Sequence, residues 1–335
     1  MIYMSEYRTM REYIEEFPQH ITGGLQVGAD YTFKHKPTAV KNILLAGLGG
    51  SGIGAEIVTN YIDKKISVPV LTCKDYFLPG FVDQDTLVIA CSYSGNTEET
   101  LYIFEEASKR NAQLVCITSG GKLGIAAAQK DVDLLQIPGA MPPRACVGYS
   151  FVQILFVLKH YGIIGDEFVN ELHAAVALLE QTHEAIKAEA RDIVARIDNR
   201  MPVIYVDQHI ASVATRWRQQ FNENSKILGW ERVIPEMNHN ELVGWRDQNE
   251  QLAVLFLHSG DEYERIIKRF QINKSIIEQH TSVVIDVYAK GNTYFEKVLY
   301  LILLGDWSSW YLSEHRHVDA VEVKVIDYLK KSLCE

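Results

Sequence analysis

Short apolar runs, each ending in a cluster of glycine or hydroxyl residues, alternate with amphipathic stretches over most of the chain. Residues 42–46 are apolar and run into Gly47-Leu48-Gly49-Gly50-Ser51-Gly52-Ile53-Gly54, after which a helical pattern begins at Ala55. Residues 68–73 predict a second strand and 86–91 a third, which leads into Ser92-Tyr93-Ser94-Gly95-Asn96-Thr97 and a helix over 98–109. Residues 114–118 end in Ser119-Gly120-Gly121, and 134–137 give a short fifth strand. Strands alternating with helices of this length predict a parallel sheet covered on both faces. Upstream, 4–15 predicts an amphipathic helix that Pro18 and the Gly23-Gly24 pair should break.

From 147 to 197 the pattern is helical, with Gly162 and Gly165 as interruptions. A second alternation follows: strands at 203–207, 252–257 and 282–287, and helices at 211–221, 262–274, 294–313 and 323–333. Between them, an ordered segment begins at Val233 and continues near 238–241. The expected organisation is α/β. It has an N-terminal helical arm over 1–28, a first domain over 29–150 and connecting helices over 151–197. A second domain with a C-terminal helix covers 198–335.

Composition narrows the class. A chain of 335 residues with 47% hydrophobic and 23% charged residues is globular and long enough for two domains. The formal charge of −10 argues against a nucleic-acid partner, which calls for a basic face. Five cysteines (Cys73, Cys91, Cys116, Cys146 and Cys334) with no CxxC spacing read as free thiols in a reducing compartment. No apolar run approaches the length of a membrane span, and the acidic N-terminus lacks a signal-peptide core. A cytoplasmic protein without a membrane partner is expected.

Two loops share a chemistry. In Gly49-Gly50-Ser51-Gly52 the glycines permit a tight turn, and the following helix offers unpaired N–H groups and the positive end of its dipole. Ser92, Ser94 and Thr97 place three hydroxyls at the end of a parallel strand, again before a helix. Such strand ends are where open α/β sheets bind ligands. The pair suits a phosphate monoester. Two other readings stay open: a dinucleotide loop, for which an acid near Asp75 stands slightly late, and a structural turn without ligand.

Acid–base candidates lie in the second half and beside the fifth strand. Glu223 sits between Asn222 and Asn224 at a helix end, either solvated or positioned as a base. His239 stands in the polar segment Pro235-Glu236-Met237-Asn238-His239-Asn240-Glu241, exposed or functional. Arg144 follows Pro142-Pro143 at a strand end, where a guanidinium meets an anion. His315 and His317 form an HxH without a second cluster, so no metal is expected. Trp307 and Trp310 read as core packing.

These elements carry a resemblance. Residues 47–54 and 92–97, Pro143-Arg144-Ala145, Asn222-Glu223-Asn224 with Lys226, Pro235-Glu236 with His239-Asn240, and Ile326-Asp327-Tyr328-Leu329-Lys330 occur in collinear order. Together they resemble the bifunctional phosphoglucose/phosphomannose isomerases, within the sugar isomerase (SIS) domain superfamily. The resemblance implies two flavodoxin-like, three-layer αβα SIS domains and a homodimer whose active site is completed by the partner subunit. It implies aldose–ketose isomerisation of hexose 6-phosphates through a cis-enediol after ring opening, with no cofactor and no metal. It implies phosphate held by Gly50, Ser51, Ser92, Ser94 and Thr97, Glu223 as base with Arg144 beside it, His239 from the partner subunit, and Lys330 as a further site lysine. The stretch Val321-Glu322-Val323-Lys324 departs from the family's Thr-Pro. It puts Val323 where the threonine linked to both epimers stands, so the use of mannose 6-phosphate is left open. Isomerisation of another phosphorylated sugar, or sugar-phosphate binding without turnover, are the alternatives.

Overall fold

The computed structural model describes residues 9–333. Cys334 and the start of the helix expected over 4–15 lie outside them; within them α1 runs Met10–Glu15. Contacts divide the chain into two compact units. One is Glu16–Glu180 with Thr293–Glu296; the other, among the described residues, is 9–15, 181–292 and 297–333.

The first unit opens with α2 (Phe17–Asp30), where a helix break was expected. Pro18 falls in the first helical turn, where its missing N–H costs nothing. The glycines face α6 (Val147–His160): a Cβ on Gly28 would stand 2.1 Å from the Phe156 ring, and one on Gly24 3.2 Å from the Gly148 carbonyl. They are therefore packing residues, and the two helices approach through them.

Five parallel strands follow, β1 (Asn42–Ala46), β2 (Val70–Cys73), β3 (Thr86–Cys91), β4 (Gln113–Thr118) and β5 (Asp133–Gln136), in the order β2-β1-β3-β4-β5. β3 is buried at every position, as a central parallel strand must be. The helices α3 (Gly49–Ile62), α4 (Glu98–Lys109) and α5 (Gly121–Gln129) connect them. Leu44, Ala46, Val88 and Ile103 form one core layer; Ala90, Phe104, Cys116 and Leu123 form another. α6 was expected to connect domains, but it is buried at almost every position and belongs to the first unit's core. The division falls within the long helix α7 (Glu167–Ile197).

The second unit has four parallel strands in the order β7-β6-β8-β9: β6 (Met201–Asp207), β7 (Trp230–Ile234), β8 (Leu252–His258) and β9 (Val284–Tyr288). β7 was expected as an ordered segment rather than a strand. It is an edge strand, half-buried, and its alternation is blurred by Glu231 and Arg232. The helices are α8 (Ala211–Glu223), α9 (Glu264–Ile277), α10 (Tyr294–His315) and α11 (Lys324–Leu333). Trp307 is fully buried and meets Trp310 edge-on at 5.6 Å.

Two parallel sheets flanked by helices are the α/β class expected. No helix among the described residues is long and apolar enough to cross a membrane. Cys73, Cys91, Cys116 and Cys146 are buried, and burial pushes the Cys91 thiol up to about 12.

Candidate active site

In the first unit the strand order reverses between β1 and β3, the place where a doubly wound sheet leaves a crevice at its carboxyl edge. The Gly-rich loop follows β1 and the Ser-Tyr-Ser-Gly-Asn-Thr loop follows β3. Ala46 pairs with Ala90, so the two loops leave the sheet side by side. α3 begins at Gly49, earlier than the sequence suggests, which puts Gly50 and Ser51 in its first turn with N–H groups that lack intrahelical acceptors.

Of the expected phosphate ligands, Ser92 is buried and its Oγ donates to Thr97 Oγ1 at 2.9 Å. Ser94 is exposed, and its Oγ accepts the Asn96 N–H at 3.2 Å. Gly95, at φ +66°, closes the turn by donating to the Ser92 carbonyl at 3.0 Å. A Cβ on Gly95 would sit 1.8 Å from the Gly120 carbonyl, so the loop after β4 packs directly beneath this turn.

Arg144 joins the same place. It is buried in the 3-10 turn Pro143–Cys146, and a Cβ on Gly50 would lie 2.8 Å from the Pro143 carbonyl. Only a residue without a side chain lets the Arg144 turn seat on the first turn of α3. Tyr93 braces the approach: its hydroxyl accepts the Met141 N–H at 2.9 Å, and its carbonyl accepts Ser119 Oγ at 2.7 Å. Neither bond had a signal in the sequence, because the partners lie far apart along the chain.

In the second unit Glu223 is the last residue of α8, half-buried. α8 is fixed against α10 by a buried pair in which Arg216 donates to Asp306 at 2.6 and 3.1 Å. Gln220 adds a bond to the same carboxylate at 2.9 Å. The amides on either side of Glu223 hold the chain: Asn222 Nδ2 donates to the Ile227 carbonyl at 2.7 Å, and Asn224 Nδ2 to Ser309 Oγ at 2.9 Å.

His239 ends the 3-10 turn Glu236–His239 and is exposed. The loop beneath it is rigidly held. Met237 is in the core, and Asn238 bonds Asn273 at 2.7 Å and Arg269 at 3.1 Å. Glu241 accepts from the Tyr205 hydroxyl at 2.6 Å and from Trp230 Nε1 at 2.9 Å, while Arg232 pairs with its other oxygen at 3.2 Å. Trp245 Nε1 donates to the Tyr205 oxygen at 2.9 Å. Burial and the Glu241 carboxylate push the Tyr205 phenol far up. This aromatic–carboxylate network was missed by sequence reasoning, since its members come from three separate segments.

Lys330 lies on α11, which has no buried residue, and Val323 is half-buried just before it. No group of three or more His, Cys, Asp and Glu side chains gathers to hold a metal among the described residues, and His315 instead meets Asp198 at 2.9 Å.

Two parallel sheets, with glycine and hydroxyl loops at a switch point, define the class of SIS-domain proteins. The SIS domain family model matches residues 38–156, and that of the bacterial phospho-glucose isomerase C-terminal SIS domain matches 186–333. A bifunctional phosphoglucose/phosphomannose isomerase from Caldicellulosiruptor bescii is 34% identical over 97% of this chain and 99% of its own length. One from Aquifex aeolicus is 38% identical over 88% of this chain and 91% of its own. The C-terminal domain of glucosamine-fructose-6-phosphate aminotransferase from Francisella tularensis shares the fold, with a TM-score of 0.76 at 15% identity over 95% of this chain and 99% of that one. The chain belongs to the bifunctional phosphoglucose/phosphomannose isomerase family.

Proposed function

We propose that the protein interconverts glucose 6-phosphate and fructose 6-phosphate, and accepts mannose 6-phosphate, in the cytoplasm. The observation that carries the reading is the seating of the Arg144 turn on Gly50, which brings the backbone of Arg144 against a loop suited to a phosphate monoester. The 6-phosphate takes its contacts from the N–H groups of Gly50 and Ser51 and from the hydroxyls of Ser94 and Thr97. Ser92 serves by orienting the Thr97 hydroxyl.

Aldose–ketose exchange moves a proton between C1 and C2 and another between their oxygens. Glu223 performs the carbon transfer on one face through a cis-enediol. Arg144 stabilises the enediolate charge, since a weak carbon acid needs a fixed positive partner. A histidine titrates near neutral pH and suits protonation of the ring oxygen during ring opening. His239 takes that role, supplied by a second copy of the chain, with Lys330 at the same end. The exposed position of His239 on a braced loop supports its presentation to a partner. The reading requires no cofactor.

Two measurements test it. Fructose 6-phosphate should yield glucose 6-phosphate without nicotinamide and in the presence of EDTA; binding without turnover rejects the enzyme. Glu223→Gln and His239→Ala chains, each inactive, should regain activity when unfolded and refolded together. A mixture as inactive as its parents rejects the shared site.

A further inference from the structure

The chain turns back sharply after Glu223. Lys226 has φ +54°, a left-handed conformation in which glycine is the unstrained residue. The side chain gives the position its use. The Lys226 ammonium donates to the Glu223 carbonyl, and to the Glu322 carbonyl at 2.6 Å. Carbonyls at a helix C-terminus lack intrahelical donors and carry the negative end of the dipole, so a cation is favourable there. Glu322 stands two residues before α11, the helix of Lys330. α11 buries none of its own residues, so its placement depends on how its lead-in is held. On the α10 side the same corner is fixed by Ser225 Oγ donating to the Ser309 carbonyl at 2.6 Å and Arg316 Nε to the Ser225 carbonyl at 2.9 Å.

We infer that Lys226 is a positioning residue for isomerisation: it ties the backbone of Glu223 to the lead-in of α11 and so sets Glu223 and Lys330 in register. The inference rests on the roles proposed for those two residues. Lys226 touches backbone carbonyls of both segments, so its loss displaces two groups at once while leaving the phosphate loops, which belong to the other unit, unaltered.

The test is Lys226→Gly, which deletes the ammonium at a backbone position that glycine favours, so that folding is preserved. The expected result is a kcat lowered roughly 10- to 100-fold, as small displacements of reacting groups give, with the inhibition constant of inorganic phosphate unchanged. n-Propylammonium chloride should restore part of the lost kcat by filling the vacated cation position, and Lys226→Arg should exceed Lys226→Gly in activity. Wild-type kcat in folded Lys226→Gly, beside an inactive Glu223→Gln, overturns the inference alone. A kcat loss that ignores the amine and follows a lowered melting temperature also overturns it. A fully active Glu223→Gln removes the underlying reading and the inference with it.

Discussion

The carboxyl edges of the two sheets are built on one plan and carry opposite chemistry. β1 and β3 flank the switch point of the first sheet; β6 and β8 flank that of the second. After β1 and β3 come glycines, hydroxyls and free-facing N–H groups. β6 ends in Asp207, whose carboxyl is pushed up by burial and by the nearby Glu262. After β8, Glu262 accepts the Ser259 N–H at 2.5 Å, the Gly260 N–H at 3.1 and 3.2 Å, and Ser259 Oγ at 3.1 Å. The donors that would meet a phosphate in one sheet are taken by an internal carboxylate in the other. A shared topology therefore leaves the choice of ligand to a few side chains at the loop. In the function proposed above, the first unit grips the anion, and the second supplies acid–base groups from the end of α8 and from the loop after β7.

The largest effect should come from the chemical half. Glu223→Gln should lower kcat by about 10²–10⁴, the span general-base catalysis supplies, while inorganic phosphate binds as before. Proton exchange at C2 in deuterated water, followed by NMR, reads this step; undiminished exchange would break the division of labour.

Glycine substitutions sharpen the contrast. Gly50→Ala drives a Cβ into the Pro143 carbonyl, so it should cost about 1–3 kcal/mol of stability and also lower phosphate affinity by shifting the Arg144 turn. Gly260→Ala meets nothing within 4 Å but sits at φ +82°. Its cost should be about 1–2 kcal/mol from backbone conformation alone, with phosphate affinity intact. Thermal unfolding and phosphate calorimetry on both variants separate the cases.

Serine substitutions should act more gently. Ser94→Ala should weaken sugar-phosphate binding by about 1–3 kcal/mol through loss of a charge-assisted hydrogen bond. Ser259→Ala should leave that affinity unchanged. Equal losses from the two would mean that both edges hold anions.

The smallest effect belongs to an ion-pair cluster on the second sheet. The hydrogen bond from His258 and the Lys274 ammonium hold the Asp286 carboxyl below its usual range. A depressed folded pKa stabilises above the unfolded value and is lost as pH falls through the folded one. Asp286→Asn should thus cost less than about 1 kcal/mol near neutral pH, since the cluster is partly exposed, and nothing once the carboxyl is protonated. Urea titrations at pH 7 and pH 3 check the sign.

Much of this was legible in the residues. Strands bounded by glycine and serine clusters gave the parallel sheets, and the two loops after β1 and β3 stood out because glycine and hydroxyls before a helix have a specific use. The misreadings share a cause, tertiary contact overriding local preference. Pro18 and the glycines of α2 read as breakers, but one sits in a helical first turn and the others face the bulky side of α6. The Tyr205–Trp230–Glu241–Trp245 network left no local pattern to find.

That network also gives the protein a built-in optical probe. Trp230 and Trp245 both donate their indole N–H groups into the Glu241–Tyr205 assembly, on either side of the loop that presents His239. Indole emission responds to nearby charge and to the polarity around the ring. A substrate or partner that shifts the 236–244 loop should therefore change the fluorescence of the untouched, unlabelled chain, so the movement could be timed by stopped flow without an added dye.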